Sequence, residues 1–137
     1  MTVKNIFDVA SSAMSAQMTR LNTIASNMAN ADAVSATRDG AFRPMRPVFE
    51  TVYSDQLGRD GISTARVRDV VSLDREPTKS FRPDHPLADA EGYVYESTVN
   101  SDEEMVEMLE ASRQYQNNVE VVSTLRSLMM RTISMGK

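Results

Sequence analysis

The placement of proline and glycine limits this chain more than any other feature. All five prolines (Pro44, Pro47, Pro77, Pro83, Pro86) and four of the five glycines (Gly40, Gly58, Gly61, Gly92) fall between residues 38 and 100. Only Gly136 lies outside. Proline breaks helices and isolated glycines punctuate turns, so two uninterrupted ends flank a turn-rich middle. The expected division is a helical segment at 1–37, a β-rich segment with extended loops at 38–100, and a helical segment at 101–137. The fold class is therefore α+β and mainly α, with long terminal helices paired as a coiled-coil-like hairpin around a small irregular β-rich region.

The last segment reads as one helix over residues 101–135. Ser101, Met105, Met108, Ser112, Tyr115, Val119, Val122, Met129 and Ile133 recur at spacings of three and four, interrupted only by Arg126. Such spacing keeps one seam turned toward a partner helix. A second row, Val121, Leu125, Leu128, Thr132 and Met135, widens the apolar surface in the final turns, which then demands more than one neighbour. Ser101 followed by Glu104 predicts a capping box, acidic residues crowd the first turns as the helix dipole favours, and Gly136 is the expected C-cap. At ~1.5 Å per residue the rod would reach about 50 Å, longer than a compact domain of this size is wide.

A first helix is expected over residues 5–30, with Asn5 as N-cap and Asp8 in its first turn. One stripe runs through Ile6, Ala10, Ala13, Gln17, Leu21, Ile24, Met28 and Ala31, and a second through Phe7, Ser11, Met14, Met18, Leu21, Ala25 and Met28. Both helices are thus double-sided. The first is rich in Ala, Ser and Thr, which permits close approach but buries little area, so assembly must supply the remainder. Expected subunit-packing positions are Ile6, Phe7, Met14, Leu21, Ile24, Asn27, Met28 and Asn30 on the first helix. On the second they are Met105, Met108, Tyr115, Val119, Val122, Leu125 and Met129. Asn27 is expected to set register from an interior position, whereas Asn30 terminates the helix.

The middle reads as short strands at 48–53, 61–71 and 92–99, with a turn at Gly58-Arg59-Asp60-Gly61 and with Tyr93 and Tyr95 on one face. So few large apolar side chains make a marginal core, and this region should lean on the helices or on adjacent subunits.

Composition excludes several functions. Fifteen Lys and Arg against nineteen Asp and Glu, with no basic cluster, argue against a nucleic-acid partner. Zero cysteines remove thiol chemistry and disulfides. No apolar run approaches the ~18 residues of a membrane span, and the N-terminus lacks the pattern of a cleaved secretory signal. His85 with Asp84 and Asp89 is the one imaginable metal site, but Pro83 and Pro86 flank it, and a turn histidine satisfied by its own loop is the favoured reading. No nucleophile elbow, phosphate loop or dinucleotide fingerprint is present. The chain is expected to be no enzyme, with no catalytic residues, cofactor or metal.

Residues 22–30 (NTIASNMAN) resemble the segment shared by flagellar axial proteins, the rod, hook and hook-associated subunits. The run from Phe81 to Val94 (FRPDHPLADAEGYV) looks like that family's aromatic-x-P-x-H/N-P-x-A-D-x-x-G-Y-V pattern. Val99-Asn100, Glu104-Met105-Val106 and the stretch from Ala111 to Glu120 follow at the family's distances. The departures are Phe81 for the commoner Tyr, Ser97-Thr98 for Pro-Asn, and Asn117-Asn118 where Ala-Asn is common; all touch local turn geometry. The resemblance implies a structural subunit of the proximal rod whose terminal segments form a helical core, a hollow torque-transmitting shaft. Implied partners are other rod subunits, copies of itself, neighbouring ring or adaptor proteins and the type III export apparatus, with no membrane insertion. It also implies export without a cleaved signal and a place in the rod crossing the periplasm. The rival from another class is a soluble coiled-coil adaptor or export chaperone that never polymerises.

Overall fold

The computed structural model describes residues 3–53 and 63–136. Two long helices, α1 (Val3–Ala29) and α2 (Ser101–Met135), enclose five strands: β1 (Val34–Ser35), β2 (Met45–Tyr53), β3 (Ser63–Ser72), β4 (Lys79–Phe81) and β5 (Tyr93–Glu96). The helices pack antiparallel, because ascending positions on α1 meet descending positions on α2. Gln17 donates to Gln114 at 2.8 Å, Arg20 pairs with Glu107, and Asn27 donates to Glu104 at 3.0 Å. The mainly helical α+β architecture expected from proline and glycine placement is what forms. The turn at Gly58-Arg59-Asp60-Gly61, Ile62 and Lys137 lie outside the described residues.

β2 and β3 form an antiparallel ribbon with a register shift between Val48 and Phe49. Each strand of a two-stranded ribbon has a free edge, which is how Pro47 fits inside β2. The ribbon lies against α1, where the Ser12 hydroxyl donates to the Ala65 carbonyl and Ala16 is buried. The small side chains of α1 thus admit a strand pair of the same chain on one side and α2 on another. A separate three-stranded antiparallel sheet forms in the order β1-β5-β4, with Val94 fully buried. Sequence periodicity missed β1 and β4, which are two and three residues long, and made β5 too long. Residues 97 and 98 instead spend their N–H groups on the Ala33 and Phe42 carbonyls.

The helix starts need correction. α1 already includes Val3, so Asn5 is an interior residue and no acidic side chain lies in the first turn. On α2 the N-cap is Asn100, whose side-chain oxygen accepts from the N–H groups of Asp102 and Glu103. Asn caps a helix as well as Ser does. With Asn100 in that place, Ser101 becomes the first helical residue and Glu104 is released for another task. At the far end Gly136 is the C-cap, with an ordinary negative φ and its N–H on the Ile133 carbonyl.

Gly92 is the one described residue at positive φ (82°), and a Cβ there would lie 2.9 Å from the Phe81 ring and 3.1 Å from Pro83. Gly92→Ala is therefore expected to cost about 1–2 kcal/mol from the left-handed backbone alone, plus the contact with Phe81. Urea unfolding of the full chain checks this; an unchanged midpoint would refute it.

Candidate assembly surface and the junction that carries it

Two of the fully buried side chains, Asn27 and Glu104, meet where the start of β2 joins the helices. Asn27 is completely buried and its amide is fully used: Oδ1 accepts from the Met45 N–H at 2.8 Å, and Nδ2 donates to the Met45 carbonyl at 2.9 Å and to Glu104 Oε2 at 3.0 Å. The amide pairs with Met45 as a neighbouring strand would, so α1 holds the start of β2 in register. Glu104, 1% exposed, also faces the Arg46 guanidinium at 2.6 Å. One helical residue earlier, Glu103 receives two 2.9 Å hydrogen bonds from Arg75. A single turn of α2 thereby ties down α1, β2 and the chain after β3.

The Arg75 guanidinium, with Arg46 assisting, holds the Glu103 carboxyl below the usual carboxylate range. Asp89 is held low by the Tyr93 N–H, with the Glu91 N–H and Lys79 adding to the effect. A carboxyl depressed in the folded state supports folding above its unfolded value, about pH 4, and that support is lost as pH falls through the folded value. The melting temperature should stay level from about pH 7 to 5 and drop below about pH 4. In the combined Glu103→Gln and Asp89→Asn variant the drop should shrink; an identical acid profile would rule out this origin.

The residues 81–94 form a self-contained loop. The His85 Nδ1 accepts from the Leu87 N–H at 3.1 Å, Asp89 Oδ1 accepts from the Glu91 and Tyr93 N–H groups, and Lys79 sits 4.3 Å from the centre of the Tyr93 ring. Phe81 meets Tyr93 edge-on at 5.1 Å between centroids. His85 Nδ1 and Asp89 Oδ1 accept from loop backbone, which is the work of turn residues, and Asp89 Oδ2 faces Lys79. Replacing His85 by Ala should therefore leave assembly within roughly wild-type levels, and a loss of assembly would contradict it.

The positions singled out for packing fall into three groups. Ile24 and Asn27 are buried inside the chain. Ile6, Phe7, Met14, Leu21, Met28, Asn30, Met108, Tyr115, Val122 and Leu125 are half-buried. Met105, Val119 and Met129 face solvent. The side of α2 that meets α1 runs through Glu104, Met108, Ala111, Tyr115, Val122 and Leu125, so the apolar stripe read from spacing straddles the boundary of the helix pair. Much of the remainder stays open, and so do apolar residues outside it: Met105, Val106, Leu109, Val119, Val121, Leu128, Met129, Met130, Ile133 and Met135 are all exposed large hydrophobics on one helix. Surface apolar area of that extent marks an interaction site. The charged junction residues were missed because Arg46 and Arg75 sit in strand-like context, far in sequence from Glu103 and Glu104. Asn100, standing just before Ser101, was the one available signal.

No described helix is long and apolar enough to cross a membrane. Paired terminal helices around a small β region, with large apolar side chains exposed along α2, are the architecture of a structural assembly protein. The comparisons name the class. The family model described as "Flagella basal body rod protein" matches residues 7–36, on α1 and the turn after it. "Flagellar basal body rod FlgEFG protein C-terminal" matches residues 90–135, covering β5 and α2. The chain is 44% identical to the flagellar basal-body rod protein FlgC of Yersinia enterocolitica and 40% identical to that of Salmonella typhimurium, and 28% identical to that of Buchnera aphidicola subsp. Baizongia pistaciae, covering all of each chain in every case. The chain belongs to the FlgC family of flagellar basal-body rod proteins, which are structural subunits and not enzymes.

Proposed function

We propose that this subunit builds the proximal part of the rod by packing the outward sides of its terminal helices against copies of itself and against other rod subunits. The observation that carries this is the large number of apolar side chains left exposed along α2, which no described element of the chain covers. Residues 1–37 and 101–137 would form the axial core and 38–100 the outer, β-rich part. Contacts of this kind are heterologous, and their repetition produces a helical shaft in place of a closed dimer. A hollow shaft of many such contacts spreads torque over all of them.

The packing residues we assign are the half-buried and exposed positions of the sequence-derived set, from Ile6 and Phe7 on α1 to Leu125 and Met129 on α2. Neighbouring ring or adaptor proteins would meet the middle region. Export by the type III apparatus, without a cleaved signal and on the way to the rod across the periplasm, suits a fold whose core is small. Its largest fully buried side chains are Ile24, Glu104, Val94, Asn27 and Pro44, and burying so little apolar area leaves a chain that is easily unfolded.

Backbone NMR and amide exchange on the purified full chain test the coupling of folding to assembly. The start of α1 and the end of α2 should give flexible, unprotected signals, because ordering costs ~1–2 kcal/mol per residue and little is buried there. The stretch around residues 24–29 and 101–111 should be protected by the Asn27–Glu104–Arg46 junction. Uniform protection along both helices would favour a soluble adaptor whose helices are complete without a rod.

A further inference from the structure

The two halves of the β2–β3 ribbon are held very differently. At the base, the Met45 backbone pairs with the Asn27 amide, Arg46 meets Glu104 at 2.6 Å, and the Leu73 N–H donates to the Pro44 carbonyl at 2.8 Å. Arg75, just past β3, is bound by Glu103. Both helices therefore grip that end. Beyond it the ladder breaks step: Val48 faces Asp69 and Phe49 faces Val67, so Arg68 is an extra residue on β3. A bulge of this kind interrupts the ladder and bends the strand that carries it.

The distal half, residues 49–53 paired with 63–67, runs alongside α1 and no other described element. Between them lies an open groove of about 500 Å³, lined on the helix by Asp8, Ser11, Ser12, Ser15, Ala16 and Thr19. None of these side chains is large and apolar, so burial contributes little to the contact. The Thr19 and Thr23 hydroxyls donate to carbonyls of their own helix, and Arg66 is taken by Glu50 within the ribbon. Among the described residues, the one hydrogen bond from α1 to this half runs from the Ser12 hydroxyl to the Ala65 carbonyl. Phe49 and Tyr53 are 42% and 76% exposed, so no described element braces this half from elsewhere.

We propose that the distal half of the ribbon is a hinged arm, which pivots at the Arg68 bulge and lifts from α1 while the base stays fixed. In the resting state Ser12 holds Ala65. Lifting breaks that one hydrogen bond and widens the groove. The pairs between residues 49–53 and 63–67 stay intact, so the arm moves as one piece. Hinges are a few residues that absorb a change in backbone angle, and the bulge supplies them where the ladder is already interrupted. Five residue pairs make an arm of about 15 Å, so a tilt of roughly 20° displaces its end by on the order of 5 Å. The outer strands can then meet a neighbour at more than one angle, while the junction that ties α1, α2 and β2 together is undisturbed.

The chain has no cysteine, so pairs of introduced cysteines carry nitroxide labels at chosen sites of the full-length protein. Met18→Cys with Thr51→Cys spans α1 and the arm, and Ser26→Cys with Ser72→Cys spans α1 and the base. All four positions are exposed and none lines the groove. Double electron–electron resonance should give a two-peaked distance for the arm pair and one narrow distance for the base pair. Adding Ser12→Ala should raise the ratio of lifted to resting arm about fivefold, the effect of losing one hydrogen bond, and leave the base pair as it was. A single narrow arm distance that Ser12→Ala does not change overturns the proposal. A base distance that spreads together with the arm overturns it too, because the ribbon would then move as a whole. Should a labelled chain fail to fold, Asn22→Cys with Tyr53→Cys, both exposed, reads the same motion with the same outcomes.

Discussion

Glu104→Ala should be the most damaging single truncation in the folded subunit. It removes the carboxylate that Arg46 meets at 2.6 Å and that Asn27 donates to at 3.0 Å. Taking one partner from a buried ion pair costs about 3–5 kcal/mol when the other charge stays desolvated. Arg46 is 20% exposed and keeps Glu103 at 3.5 Å, which places the cost at the lower end of that range. Total stabilities of domains this size run to about 5–15 kcal/mol, so much of the fold is at stake. Glu104→Gln keeps an oxygen for the Asn27 amide and loses only the charge, and its cost should be smaller, about 1–3 kcal/mol. Urea unfolding of the full-length chain separates the two variants. The double change Asn27→Ala with Glu104→Ala should cost less than the sum of the singles, since both act on one network. A Glu104→Ala protein within about 0.5 kcal/mol of wild type would show that the junction contributes nothing to stability.

That junction also marks the limit of what the sequence discloses. The helices were legible because their signals are long and repeated: proline and glycine exclusion, spacings of three and four, and acidic residues at the start of α2. The bounds of α2 follow directly, at Ser101 and Met135. Features that depend on a single contact between distant residues were not legible. Nothing local in Arg46 or Arg75 announces a carboxylate more than twenty-five residues away, and β1 and β4 are too short to have a period. Asn27 shows both sides of this. Its interior position on a helix announced a polar residue that sets register, but its amide matches the backbone of Met45 and the side chain of Glu104 within the same chain. The small residues of α1 repeat the lesson. They were read as allowing close approach of helices, and one face of them receives the β2–β3 ribbon. Spacing tells which residues share a face; it does not tell which element will cover it.

What covers the exposed apolar residues of α2 is the question with the largest consequence for function. Leu128→Asp with Ile133→Asp should leave the subunit's own stability within about 0.5 kcal/mol of wild type, as exposed substitutions generally do. Leu128 and Ile133 are 54% and 63% exposed and lie beyond the last half-buried turn. In the rod the result should be very different. Burying one such side chain contributes about 1.5–3 kcal/mol, and the introduced carboxylates add a desolvation cost. Losing both side chains weakens each contact by at least about 3 kcal/mol, a factor of more than about 100 in affinity. Each subunit makes its contact anew, so the deficit recurs at every step of growth. Cells carrying only this variant should produce the chain at normal levels, contain none of it in purified basal bodies and fail to swim. Glu104→Ala should behave in the opposite order, losing the folded subunit first and the rod as a consequence. Normal swimming with the aspartate variant would mean that the distal turns of α2 carry no contact. Loss of monomer stability in that variant would mean that α2 is already covered within its own subunit. The two measurements together separate a helix that finishes a fold from a helix that finishes an assembly.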